Sequence, residues 1–224
     1  HDCADESRIL IVTAVEAEAE AVRSGLDEHT RDIVDIHVAG VGPAAAAAST
    51  AARLASVSQG YYKLVISAGI GGGFAPHAPI GSMVLASSCI AADLGSETPE
   101  QGFISVDELG FGHSFIQTDD HYTDRLKAGL QNAGIPVHVG PVLTVSTTTG
   151  SATTTTALLR RIPDAAAEGM EGFGVASAAR LFQLPVMELR AISNLVGPRD
   201  RDSWRIGEAL QSLGRATRIL TEVF

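Results

Sequence analysis

Apolar positions along the chain follow two periods. Short runs of aliphatic and β-branched residues, Ile9–Ala14, Ile33–Val38, Leu64–Ser67, Met83–Ser87, Val137–Val145 and Val186–Ile192, predict strands. The unbroken Ile9–Ala14 run is the pattern of a strand buried on both faces. Between the runs lie Ala-rich or amphipathic stretches with helical spacing: Ala17–Leu26, Ala44–Ser56, Tyr122–Ala133, Ala157–Arg161, Phe173–Leu181 and Trp204–Phe224. Strand and helix alternate from end to end, so the class is α/β.

Two segments follow neither period. Asp93–Asp120 mixes Gly, Pro, Asp and aromatics, and its length predicts a functional loop containing Phe103 and Phe111. The polar run Ser146–Thr156 sits between a strand and a helix, which makes it a binding loop rather than a linker; Ser146 and Thr147 begin it. No linker divides the chain, and 224 residues suffice for one large core. One domain is therefore expected over 9–224, with 1–8 a frayed end or a remnant added ahead of it.

Composition narrows the functional classes. A net charge of −10 argues against a nucleic-acid footprint. No stretch of 18 apolar residues is free of charge and breakers, so no membrane span is expected. His1–Arg8 has neither a basic nor an apolar region, so no secretory signal is expected either. Cys3 and Cys89 read as unpaired thiols in a reducing, cytoplasmic setting. The histidines show no metal-binding spacing, so neither metal nor cofactor is expected.

Candidate chemistry collects at strand ends, where open α/β sheets bind ligands. Gly69-Ile70-Gly71-Gly72-Gly73 follows a strand but matches neither nucleotide-loop pattern. It reads as backbone that a ligand can approach closely, or as a tight structural turn. Glu16 and Glu171 sit at helix starts, where an acid is also favoured by the helix dipole. Met170 beside Glu171 could equally be core filler. Asn194 ends the Val186 strand and offers both donors and an acceptor, or simply caps the next turn. Taken together they describe two carboxylates and an amide around a small ligand.

Five segments, in this order, resemble the purine nucleoside phosphorylase/uridine phosphorylase superfamily and its nucleosidase branch: ILIVTAVE from Ile9, Ala39–Pro43, SAGIGGGFAP from Ser67, GMEGFGVA from Gly169 and RAISN from Arg190. The resemblance implies a single-domain, three-layer α/β/α fold around a central mixed twisted sheet. Two positions depart from that branch: Ile70 replaces a small polar residue, and Asn194 replaces a catalytic Asp. The segments ADLGSETPEQGF from Ala92 and RAISNLVGPRDRDSW from Arg190 are instead similar to the futalosine hydrolases, enzymes of an alternative menaquinone pathway that release hypoxanthine from a nucleoside with a benzoate-bearing 5′ tail.

The resemblance implies roles. Glu16 would activate a water, Glu171 would hold the ribose hydroxyls with Met170 on the sugar face, and Asn194 would donate to purine N7 or O6. Gly69, Ile70, Gly71, Ser146, Thr147 and Phe111 would complete the substrate site. Arg53, Arg199 and His113 are open candidates for the tail. A homodimer or higher homo-oligomer is implied, with the Asp93–Asp120 loop covering a neighbour's site. The stretch TAVEAEAEAV contains carboxylates and no Arg, which favours water over phosphate as nucleophile. A phosphorylase of the same fold, an adenine-type nucleosidase and a nucleoside-binding protein without turnover are the competing readings.

Overall fold

The computed structural model describes residues 7–224. Cys3 and all but the last two residues of the expected N-terminal segment lie outside the described residues. The elements in chain order are β1 (Arg8–Thr13), α1 (Glu16–Ser24), α2 (Glu28–Arg31), β2 (Val34–Val38), α3 (Pro43–Ala55), β3 (Tyr62–Gly73), β4 (Met83–Ala91), β5 (Gly95–Thr98), β6 (Gly102–Ser105), β7 (Phe115–Gln117), α4 (Asp120–Asn132), β8 (Val137–Thr144), α5 (Ala152–Arg161), β9 (Ala167–Gly169), α6 (Gly172–Leu181), β10 (Val186–Leu195) and α7 (Ile206–Val223), with a 3-10 turn at Arg201–Ser203.

The sheet is mixed, as expected. β1 pairs in parallel with β2 and β3, β3 with β10, β4 with β8, and β8 with β9. β10 is antiparallel to β4, β3 to β9 and β4 to β7. Because β3 pairs with both β10 and β9, the strands β3, β10, β4, β8 and β9 close into a ring. The apolar pattern carried no sign of this closure, since a closed and an open sheet bury the same alternation.

Period-two alternation divides the core. Ile9, Ile11, Leu64 and Ile66 pack on one face against Val22 of α1, Leu126 and Leu130 of α4, and Leu213 and Leu220 of α7. Leu10, Val12 and Val65 face the other way, against Leu54 of α3 and Val175 and Ala179 of α6. A smaller cluster under α5 joins Phe74, Leu143, Val145 and Leu158. Helices on both faces of the sheet give the three layers.

Three expectations need correction. β3 does not stop at Ser67: it runs on to Gly73, and the glycine run is strand rather than turn. The Asp93–Asp120 segment contains the β5–β6 hairpin and β7, which the shortness of these strands concealed. α5 begins at Ala152, where Ser151 caps it by accepting from the Thr154 N–H, so the polar loop is only Val145–Ser151.

Small residues on α6 let α3 come close. A Cβ at Gly174 would collide with the Pro43 carbonyl oxygen. Gly174→Ala should therefore lower the unfolding free energy by about 1–3 kcal/mol through overpacking, against the gain in helix propensity. Urea denaturation checks this; unchanged or higher stability would show that the two helices separate freely.

Candidate active-site cleft

A cleft of about 220 Å³ opens beside the far end of β3. Its walls come from segments distant in sequence: Ala14 and Val15 ahead of α1, Glu18 of α1, Val41, Ile70–Gly72 of β3, Thr148, Glu168 and Gly169 of β9, Met170, Glu171, Ser193 and Asn194 of β10, and Trp204.

The acid from the first strand–helix junction is Glu18, not the expected Glu16. α1 starts at Glu16, and residues two apart point to opposite sides of a helix. Glu16 turns to solvent, with its side chain 64 % exposed and 3.0 Å from Arg23. Glu18 turns inward at 4 % exposure. Its two carboxylate oxygens accept from the Ala14 N–H at 3.1 Å and the Ile70 N–H at 2.8 Å. Burial pushes the Glu18 carboxyl above its ordinary pKa; Arg190 and the two amide donors draw it back only in part. The signal was present in the run Val15–Glu20, because Glu18 shares its helix face with buried Val22 and Glu16 shares its own with exposed Glu20.

Gly69 stands behind the cleft rather than lining it. A Cβ there would fall on the Glu18 carboxylate and lie 2.6 Å from Arg190 Nη1. The glycine run thus gives carboxylate and guanidinium access to the main chain of β3. Ile70 and Gly71 do line the cleft.

Glu171, at the start of α6, lies 3.6 Å from Arg190 Nη1 and accepts from the Gly42 N–H at 3.0 Å. That N–H is presented by a turn in which Gly40 and Gly42 both have positive φ, a backbone region suited to glycine. Met170 packs beside Glu171, its Sδ 3.6 Å from the Thr148 hydroxyl. Asn194 sits within β10, next to a bulge, and is not a turn cap. The Ser193 hydroxyl donates to Asn194 Oδ1 at 2.9 Å, and Nδ2 is directed at the Leu195 carbonyl at 3.3 Å.

Behind these groups lies fully buried Arg190. Its Nε donates to Glu188 at 2.8 Å and its Nη2 to the Ser67 hydroxyl at 2.9 Å. Burial works against the Arg190 charge, but Glu188, Glu171 and Glu18 together hold its pKa above the usual value. Cys89 is a buried free thiol that donates to Glu188.

Other expected positions lie elsewhere. Ser146 and Thr147 do not line the cleft; Thr148 does. The Ser146 N–H is bound to Asp93 at 2.7 Å, and Thr147 faces a neighbouring cavity that also contains Phe103 and Arg161. Phe103 lies under the Arg161 guanidinium at 3.9 Å, so it is held by its own chain. Phe111 is 83 % exposed and outside the cleft. Arg53 is engaged with Tyr62 and Asp35, and His113 faces Asp107 at 3.9 Å. Arg199 lies 5.1 Å from the Trp204 ring, which lines the cleft. Glu168 and Trp204 were missed. Glu168 is acidic in an apolar run too short to read as a strand, and Trp204 follows a charged stretch that has no period.

Among the described residues the cleft is lined by three carboxylates, Glu18, Glu168 and Glu171, and by no Lys or Arg. It can desolvate a carboxylate base, bind hydroxyls on an anionic floor and favour developing positive charge. Among the described residues no cluster of three or more His, Cys, Asp or Glu is set to hold a metal, and no helix is long and apolar enough to cross a membrane.

Comparison with known proteins agrees with this architecture. A futalosine hydrolase from Streptomyces coelicolor is 49 % identical over 232 residues, covering 96 % of this chain and 95 % of that protein. A futalosine hydrolase from Acidothermus cellulolyticus is 45 % identical, covering 92 % and 87 %. The native structure of futalosine hydrolase from Helicobacter pylori superposes with a TM-score of 0.82 at 16 % identity, covering 97 % of this chain and 98 % of that one, which shows a shared fold. The model of the Phosphorylase superfamily matches residues 7–224, so the chain belongs to that superfamily.

Proposed function

We propose that the cleft hydrolyses the N-glycosidic bond of futalosine, releasing hypoxanthine and the base-free sugar, a step of the alternative menaquinone pathway. The observation that carries the reading is the desolvated Glu18 carboxylate in a cleft lined by no cation. Bond cleavage builds positive charge on the ribose and negative charge on the departing purine. Glu18 takes the proton of the attacking water. Glu171 accepts from the ribose 2′- and 3′-hydroxyls with Met170 against the sugar. Asn194 donates to the purine at N7 or O6. Two relatives named for this activity, at 49 % and 45 % identity, support the assignment.

Water rather than phosphate is the nucleophile in this reading. A phosphate anion would enter beside Glu18 and Glu171 with no lining Lys or Arg to offset the repulsion. A second copy of the chain covers the 5′ end of the substrate, with exposed Phe111 available for that cover. Of Arg53, Arg199 and His113, Arg199 is the one packed on a cleft residue, and it is assigned to the tail. The setting is cytoplasmic.

The direct test follows free hypoxanthine released from futalosine with and without phosphate. Phosphate-independent release is expected; release only with phosphate would make the enzyme a phosphorylase.

Glu18→Gln should keep substrate binding and reduce kcat by roughly 10²–10⁴-fold, the range for loss of a general base. Glu16→Gln, at the surface, should be near normal. The opposite pattern in steady-state kinetics would return the role to Glu16.

The pH profile follows from the Glu18 environment. A base must be ionised, and burial raises the Glu18 pKa, so activity should fall as pH drops through a value above the ordinary glutamate range. An acid limb at or below about 4.3 would contradict that desolvation.

Asn194 sets the base preference. Its amide can donate to O6 and N7, both acceptors in hypoxanthine. Asn194→Asp should move the kcat/KM ratio toward the 6-amino counterpart of futalosine and add a titrating group to the profile. An unchanged ratio would remove Asn194 from base recognition.

A further inference from the structure

Glu168 is the cleft carboxylate to which the proposed mechanism gives no work. It is 4 % exposed, yet it lines the same cleft as Asn194. Both are held in register with one residue of the central strand. Gly72 pairs with Glu168 across antiparallel β3–β9 and with Asn194 across parallel β3–β10. Two strand spacings, about 10 Å at the backbone, separate the two positions. A Cβ at Gly72 would lie 2.9 Å from Val196 Cγ2 and 3.3 Å from Asn194 Nδ2, so the Asn194 amide sits over this glycine where the cleft is lined.

The two side chains have opposite polarity. Asn194 Oδ1 accepts from the Ser193 hydroxyl and one Nδ2 hydrogen is directed at the Leu195 carbonyl, so the second Nδ2 hydrogen is the donor it offers the cleft. Glu168 Oε1 accepts from the Thr149 N–H at 2.9 Å, and Oε2 accepts from the Thr149 hydroxyl. A carboxylate can accept about four hydrogen bonds, so both oxygens retain capacity. The consequence for the cleft is a reversal. At the Thr149 position the loop would otherwise present a donor, its main-chain N–H, whereas Glu168 covers that donor and presents an acceptor.

We infer that Glu168 is a specificity-determining residue that accepts the N1–H of a 6-oxopurine while Asn194 donates to its O6. The inference rests on the nucleosidase reading above and extends it to the Watson–Crick edge of the base. A 6-oxopurine carries a donor at N1 and an acceptor at position 6. A 6-aminopurine carries the reverse, and would meet acceptor with acceptor at Glu168 and donor with donor at Asn194. Buried polar groups left unpaired in this way give strong discrimination.

The test uses calorimetric binding of hypoxanthine, 1-methylhypoxanthine and adenine to the native protein and to Glu168→Gln, alongside kcat/KM for futalosine and its 6-amino counterpart. Native protein should bind hypoxanthine at least about tenfold more tightly than either of the other bases, the range for a hydrogen bond to a charged partner. In Glu168→Gln, whose amide can turn to donate to N1, the hypoxanthine-to-adenine ratio should fall at least about tenfold. Equal native affinity for hypoxanthine and 1-methylhypoxanthine would overturn the inference, even if the variant does not fold. So would a variant that weakens both bases equally, because Glu168 would then serve only to anchor the Thr149 loop. Discriminating binding of hypoxanthine without release of base from futalosine would sink the proposed reaction and leave the role of Glu168 standing.

Discussion

One buried guanidinium organises this molecule. Arg190 is 1 % exposed, and an isolated charge at such depth is prohibitively unfavourable. Its Nε is bound to Glu188 and its Nη2 to Ser67, and its Nη1 is turned toward Glu171 and the Ile70 carbonyl. Breaking such a pair by removing one partner is far worse than never having built it. Neighbouring residues are constrained accordingly. Gly69 must lack a Cβ because Arg190 and Glu18 occupy its space, and Gly172 must lack one because the Glu188 carboxylate does. Gly69, which looks like part of a ligand loop in the sequence, is clearance around a buried ion cluster, while Gly71 and Gly72 line the cleft.

That cluster is short of positive charge. Glu18, Glu171 and Glu188 surround a single guanidinium, and the Glu18 and Glu188 carboxyls resist ionisation. Burial pushes up Glu18 and Glu188, and both feel the charge of Glu171. A carboxyl with a raised pKa accepts a proton from water more readily than an ordinary glutamate. The same surplus of negative charge stabilises a cationic sugar and repels an incoming phosphate. In the proposed mechanism, base strength, transition-state stabilisation and choice of nucleophile therefore share one electrostatic origin.

How far the sequence disclosed this depended on the kind of signal. The strands Val34–Val38 and Val137–Thr144 and the helices Pro43–Ala55 and Asp120–Asn132 lie within two residues of their apolar patterns. That Glu171, Met170 and Asn194 line the cleft was legible because each sits beside a readable strand or helix boundary. Proximity to a strand end points to Glu16, but the helical face decides which side chain enters the cleft, and that side chain is Glu18. Gly69–Gly73 reads in the sequence as backbone open to a ligand or as a tight turn; it is strand, and the packing of Glu18 and Arg190 explains the glycine at position 69. Glu168 could not be found locally. Its position depends on β9 pairing with both β3 and β8, a tertiary fact with three residues of strand to announce it.

The amide at position 194 also fits the charge balance. The cleft already has Glu18, Glu168 and Glu171 on its walls. An Asp in place of Asn194 would add a further acid, and it could donate to a purine only while protonated. Its protonation would compete with that of the neighbouring carboxyls, and the groups would titrate as a coupled set. Asn supplies the donor at every pH, and the Ser193 hydroxyl on Oδ1 fixes its orientation. Proton uptake in the cleft is then left to Glu18, which in the proposed water activation is ionised and takes its proton from the water. Reading the base and activating the water are in this way separated onto a group that cannot ionise and a group that must.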